Sequence, residues 1–246
     1  MVTIGGRAHT LEQIDKVGKL GYPFAEIDIN DPEVVLQQFD DLMKLKDKYN
    51  LFYLAHYPNE GDPRNADRLE GQFVPKIKTL LGLTRDLGIQ KGTLHFWMDK
   101  RWAPSDLIQR KIRLLSQMVE AATSKGIVLC LENLTSQYDS FSTVLDSIPD
   151  LRMTLDIGHG QLLSEENTSF GFIEHLFHKI RHVHVHDNRG GTGVKDDLHL
   201  PLGDGIVDYP RILSLLKEKQ YAFTITMEVL PSDMVRTKEA VDRHIK

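Results

Sequence analysis

Short apolar segments alternate with amphipathic ones along the whole chain, eight times over. Strand-like segments are read at Val2–Gly5, Phe24–Ile29, Leu51–Tyr57, Thr93–Trp97, Ile127–Leu134, Met153–Ile157, His182–His186 and Phe223–Leu230. Each is followed by a stretch with helical spacing of apolar residues. The first is Thr10–Leu20, with Thr10 as N-cap. The second opens at Asp31-Pro32, with proline at the first helical position, and runs to Tyr49. A third, long region stops before Gly88. Pro104–Lys125, Phe141–Ile148, Ser169–Ile180, Pro210–Lys219 and Met234–Ile245 complete the series. Strands alternating with helices imply right-handed βαβ units and a parallel sheet. Eight such units in 246 residues predict an α/β fold, a (β/α)8 TIM barrel formed as a single domain over 1–246. A doubly wound open sheet is the runner-up and usually needs fewer strands. Gly190-Gly191-Thr192-Gly193 reads as a mobile part of a loop, with no linker composition around it.

A parallel barrel strand is buried on both faces and should be apolar. Here the strands carry ionisable residues near their C-terminal ends: His56, His95, Glu132, Asp156, His184 and Glu228. In barrel enzymes that rim is where chemistry is placed. A lone histidine or glutamate at a strand end is commonly structural. Six at one depth are different, because each buried charge needs a partner, and a shared divalent metal supplies one. Asp156-Ile157-Gly158-His159 adds a histidine at a strand-to-helix turn, where Gly158 is expected to let the backbone bend sharply. Asp197-Leu198-His199 offers a carboxylate and an imidazole from a loop. The single cysteine, Cys130, excludes a cysteine zinc cluster and an intramolecular disulfide, so the eleven histidines and the carboxylates must build any metal site. Cys130 itself is read as packing.

The net charge of −5 argues against a non-specific nucleic-acid binder. The N-terminus has no signal-peptide pattern, and no apolar run approaches membrane-spanning length. A cytoplasmic protein with no membrane contact is expected.

These residues resemble the xylose isomerase-like TIM-barrel superfamily, which holds sugar (phosphate) isomerases and epimerases together with the endonuclease IV class. The likeness rests on Leu131-Glu132-Asn133, Asp156-x-x-His159, His184-x-His186-Asp187, Asp197-x-His199-Leu-Pro-Leu-Gly203-Asp-Gly205, and Glu228. The isomerase branch implies one ion on Glu132, Asp156, His184 and Glu228, with Glu132 and Glu228 as the proton-transferring pair. The endonuclease IV branch implies up to three zinc ions on His56, His95, Glu132, Asp156, His159, His184, Asp197, His199 and Glu228. Glu132 would then bridge two ions, and His159, Asp197 and His199 would hold a third. The chain departs from both branches. Asp197 stands where many ketose epimerases carry arginine, and His95-Phe96-Trp97 stands where the nucleases have His-Pro-Gly.

Two enzymatic readings follow, and a third without catalysis. The first is a metal-dependent isomerase or epimerase of a small sugar or sugar phosphate, with zinc or manganese and one to three ions per chain. The second is a multinuclear zinc phosphate-ester hydrolase, and only this one admits a nucleic-acid substrate. The third is a barrel that keeps a metal for stability alone. Trp97, His186 and Arg189 are weaker candidates for substrate contact. His182 is expected as a hydrogen-bonded core residue, and Glu26 and Asp28 as partners of barrel-interior groups.

Overall fold

The structure, a computed structural model, describes residues 1–245. Eight parallel strands close into a barrel in chain order. They are β1 (Thr3–Ala8), β2 (Phe24–Asp28), β3 (Phe52–His56), β4 (Lys91–Leu94), β5 (Val128–Glu132), β6 (Arg152–Asp156), β7 (Ile180–Val185) and β8 (Thr224–Met227). β8 closes on β1 in a register running from Thr3↔Thr224 to Gly6↔Met227. The surrounding helices are α1 (Leu11–Lys19), α2 (Pro32–Tyr49), α3 (Ala66–Arg68), α4 (Val74–Asp86), α5 (Ser105–Thr123), α6 (Tyr138–Ser147), α7 (Ser169–Leu176), α8 (Tyr209–Glu218) and α9 (Met234–Ile245).

Local chemistry accounts for the helix ends. Thr10 Oγ1 accepts from the Gln13 N–H at 3.2 Å, and Asp31 caps α2 through the Glu33 and Val34 N–H groups. The long third helical region is broken into α3, a π-turn over Leu69–Phe73 and α4. Pro75 has no N–H to give, and the preceding Val74 N–H reaches back to the Leu69 carbonyl. β4 begins and ends earlier than the expected Thr93–Trp97, because Lys91 pairs with Val128 directly after the Gly88 turn. His95 therefore lies just past the strand.

Alternate residues face outward to a helix-covered apolar shell, as Ile27, Val183 and Ile225 do. The other set faces the barrel axis, shown by contacts between strands that are not neighbours. Thr93 on β4 meets Thr154 on β6 at 2.9 Å, and Lys91 on β4 hydrogen-bonds Thr224 on β8. Glu26 on β2 reaches His182 on β7 at 2.9 Å. The interior thus carries polar groups from base to rim, beside apolar ones such as Leu54 and Cys130. No helix among the described residues is long and apolar enough to cross a membrane.

Candidate active site

All nine predicted metal-binding residues converge at the C-terminal rim, and His186 joins them. Glu132, the last residue of β5, lies at the centre. Its Oε2 is 2.8 Å from His95 Nε2, 3.5 Å from His184 Nδ1 and 3.7 Å from His56 Nε2. Its Oε1 is 2.7 Å from His159 Nδ1. Asp156 Oδ2 lies 3.7 Å from both His159 Nδ1 and His184 Nδ1, and Glu228 Oε1 lies 3.3 Å from the latter. Beside these, Asp197 Oδ2 is 3.1 Å from Nε2 of both His159 and His199. His186 Nε2 is 3.1 Å from Asp156 Oδ1 and 4.0 Å from Asp197 Oδ1.

The motifs have local reasons. Asn133 clamps the end of β6, accepting from the Asp156 N–H at 2.7 Å and donating to its carbonyl at 2.9 Å. The His159 N–H donates to Asp156 Oδ1 at 2.7 Å, which sets the spacing of the Asp-x-x-His turn. Gly158 has ordinary helical dihedrals (φ −73°, ψ −49°), so the sharp bend expected there is absent. What it provides is room: a Cβ would lie 2.1 Å from His186 Cε1. Asp187, fully buried, accepts from the N–H groups of Asn188, Val207 and Gly203 and anchors the loop that carries Asp197 and His199. The Gly190–Gly193 stretch, expected to be mobile, is tied by Asp196 Oδ2 to the Thr192 and Gly193 N–H groups. His199 itself sits at φ +46°, a left-handed conformation unusual for a non-glycine residue.

Five of the histidines share one arrangement. One ring nitrogen faces an oxygen outside the cluster, and the other points in. The outer partners are the Tyr57 carbonyl for His56 (3.2 Å), Asn59 Oδ1 for His95 (2.6 Å), Glu26 for His184 (3.0 Å), the Asp187 carbonyl for His186 (3.4 Å) and the Glu228 carbonyl for His199 (3.1 Å). A histidine that holds a metal is oriented in this way. Inside, Glu132 Oε1, Asp156 Oδ2, His159 Nδ1, His184 Nδ1, His186 Nε2 and Asp197 Oδ1 are buried without a hydrogen-bond partner. Buried polar atoms are costly to leave unpaired, and these six face one another. The residues therefore fit divalent cations, and imidazole with carboxylate suits zinc, manganese or cobalt.

The charges of the cluster sustain one another. Burial opposes charge throughout, but the facing histidines hold the Glu132 and Asp156 carboxyls well below their usual range and lower Glu228 too. Reciprocally, and against burial, the carboxylates raise His159 and His184 well above the ordinary imidazole range and His199 to about 9.

The opening is a cavity of about 310 Å³, whose lining beyond the cluster includes Arg7, His9, Asp28 and Asn30. Arg7 is buried, pairs with Asp28, and brings Nε within 3.5 Å of Glu228 Oε1. The sequence reading ends the first strand at Gly5 and leaves Arg7 outside it; the strand runs to Ala8. Trp97 packs against the core near Lys111, and Arg189 is exposed; neither lines this cavity. His182 has both nitrogens engaged, by Glu26 and by Thr224, as a core residue would.

The model of the xylose isomerase-like TIM barrel family matches residues 14–245. The chain belongs to that family. Among curated relatives of this xylose isomerase-like barrel, an uncharacterized protein of Methanocaldococcus jannaschii is 27% identical over 83% of this chain and 74% of its own. The inosose dehydratase of Yersinia enterocolitica is 23% identical over 61% of this chain and 54% of the dehydratase. Among solved structures, a D-tagatose 3-epimerase-like protein superposes with a TM-score of 0.82 at 24% identity, covering 99% of this chain and 97% of the other. L-ribulose 3-epimerase gives 0.73 at 19%, covering 99% and 92%. At these identities the superpositions establish the barrel fold that this member of the family shares with them.

Proposed function

We propose that this chain is a metal-dependent isomerase or epimerase of a small sugar or sugar phosphate. The observation that carries the reading is the placement of two glutamates. Glu132 Oε2, at the end of β5, and Glu228 Oε1, just past β8, approach the same atom, His184 Nδ1, at 3.5 and 3.3 Å. Two buried carboxylates flanking one point suit removal of a proton from a carbon on one side and its return on the other. The epimerase names among the structural relatives, and the dehydratase among the curated ones, support the same reaction class. Proton removal beside a carbonyl is the step common to both.

Glu132, Asp156, His184 and Glu228 would hold the ion. It would supply polarisation of the substrate carbonyl and stabilise the negative charge that develops on its oxygen. The glutamates do the proton work: one takes the proton from the carbon next to the carbonyl, and the other gives one back. Both are held ionised by facing imidazoles, so either can act as the base, and the one that returns the proton must first take one up from solvent through the cavity that Glu228 lines. Burial of both carboxylates keeps bulk water from the exposed carbanion equivalent. Arg7, beside Glu228, and His9 and Asp28 at the wall offer hydrogen bonds to the remaining hydroxyls.

One observation favours a second reading. The cluster offers more ligands than one ion uses, since His159, His186, Asp197 and His199 form a separate group and His56 and His95 bracket Glu132. A zinc phosphate-ester hydrolase would use such a set. The test is a panel of ketoses and their phosphates in deuterated water, with metal content measured on the same sample. Solvent deuterium at the carbon beside the carbonyl, abolished by Glu132→Gln and by Glu228→Gln, supports the isomerase. Phosphate release without deuterium entry, with two or three zinc ions per chain, replaces it with the hydrolase. An active Gln variant at either position removes the proposed proton-transferring pair.

A further inference from the structure

Beneath the rim lies a buried carboxylate that neither enzymatic reading assigns. Glu26, on β2, is fully buried on the far side of the barrel from β7. Its Oε2 accepts from His184 Nε2 at 3.0 Å, from His182 Nε2 at 2.9 Å and from Thr226 Oγ1 at 2.6 Å. His182, His184 and Thr226 are equally shut off from solvent. A carboxylate has only acceptors, so each group facing it must bring a hydrogen. His184 therefore carries its proton on Nε2, and Nδ1 is the atom left for the rim.

The other four outer partners in the cluster are a side-chain amide and three backbone carbonyls, all neutral. Glu26 is the one carboxylate hydrogen-bonded to an outer ring nitrogen of these five histidines; Glu228 Oε2 comes only within 3.5 Å of His199 Nδ1. Glu26 also meets the histidine whose inner nitrogen faces three carboxylates, Glu132, Asp156 and Glu228. His182, two residues back on the same face, is held by the same carboxylate, with its ring nearly perpendicular to that of His184 (88°, centroids 4.9 Å apart). His182 has no nitrogen left over, because Nδ1 meets Thr224 Oγ1 at 2.6 Å. It acts as a strut that keeps Glu26 in line with His184.

We infer that Glu26 is a positioning residue that fixes the tautomer and ring orientation of His184, so that Nδ1 faces the proposed metal with raised basicity. The inference rests on the reading that His184 holds a cation. Outer carboxylates of this kind are worth about 10–100-fold in metal affinity. Glutamine at position 26 keeps the size but turns one acceptor into a donor. The amide oxygen can still accept from His184 Nε2, but the negative charge that favours the proton there is gone, and the new NH2 group competes with the imidazole N–H donors around it.

The test has two readouts other than turnover. The first is side-chain ¹⁵N NMR of the histidines in the wild-type chain, with zinc added to the metal-free protein. The expected pattern is a protonated Nε2 and a metal-shifted Nδ1 for His184. Coordination through Nε2 overturns the inference, and this measurement needs no variant to fold. The second is zinc affinity by competition with a chromophoric chelator. Glu26→Gln is expected to lose about 10–100-fold. Thr226→Val, which removes one hydrogen bond to Glu26 but leaves His184 against it, measures a structural loss alone. Equal affinity losses in the two variants, or wild-type affinity in Glu26→Gln, overturn the positioning role while the metal reading stands. No zinc uptake by the wild-type chain overturns the metal reading and this inference with it.

Discussion

Replacing Lys111 by methionine should cost about 3–5 kcal/mol, the usual penalty for breaking a buried ion pair from one side. Lys111 is completely buried on α5, and its Nζ lies 2.6 Å from Glu60 Oε2, 3.2 Å from the Pro63 carbonyl and 4.2 Å from the centre of the Phe96 ring. At an effective dielectric of 20, charges at that separation attract by about 6 kcal/mol, which offsets part of the desolvation of both. Without the ammonium, Glu60 keeps only the Trp97 N–H at 2.6 Å. Burial already pushes its carboxyl up, against the pull of Lys111. Losing that pull raises it further, so the folded variant holds a proton that the unfolded chain releases. The variant should therefore lose more stability at pH 8 than at pH 5. For a chain of this length the melting temperature should fall by about 6–20 °C at neutral pH. Adding Glu60→Gln should recover most of the loss, because no buried charge is then left alone. Thermal and urea unfolding of the wild type, both single variants and the double variant would give the coupling energy. A loss under about 1 kcal/mol in Lys111→Met, or a double variant no better than the single, would refute the argument. The pair also matters to the site, since Glu60 follows Asn59, whose Oδ1 orients His95.

Gly158→Ala should displace His186, because the added Cβ would overlap its ring; a stability loss of about 1–3 kcal/mol is expected, with less zinc per chain by elemental analysis, and unchanged zinc content would count against a ligand role for His186. The metal-free chain should lose stability as pH rises. His199, at about 9 in the folded chain against about 6.5 unfolded, contributes fully below the lower value and nothing above the higher one, so a flat unfolding free energy between them would contradict the assignment. Zinc at about 100 times its Kd should add about 2.7 kcal/mol, and a chelator should remove it; a melting temperature indifferent to both would show that the cluster binds no zinc.

The fold was legible because each of its signals is local. Thr10, Asp31-Pro32 and Gly88 mark ends that need only their own backbone, and apolar periodicity does the rest. The rim was legible for another reason: an ionisable residue in a strand buried on both faces must have a partner, and Glu132, Asp156 and His184 announced one. What escaped were groups whose partners come from elsewhere in the chain. Glu26 was visible as a polar residue on β2, but His184 lies 158 positions away. Asn59, Asp187 and the Glu60–Lys111 pair act from loops and a helix with no periodicity to expose them. Gly158 was noticed for the wrong property, since its dihedrals are ordinary and its vacant Cβ position is occupied by the His186 side chain, just past β7.

Six of the candidate metal-binding residues fall into two mechanical classes. His56, Glu132, Asp156 and His184 are carried by strands whose spacing the closed barrel dictates, so they cannot be moved without rebuilding the sheet. Asp197 and His199 hang from one loop, whose ends are gathered by the single carboxylate of Asp187. That loop is a detachable cassette. On the proposed metal reading, exchanging it would add or subtract candidate ligands while the strand-borne half stays in register, so the cation capacity would be set by a segment outside the sheet.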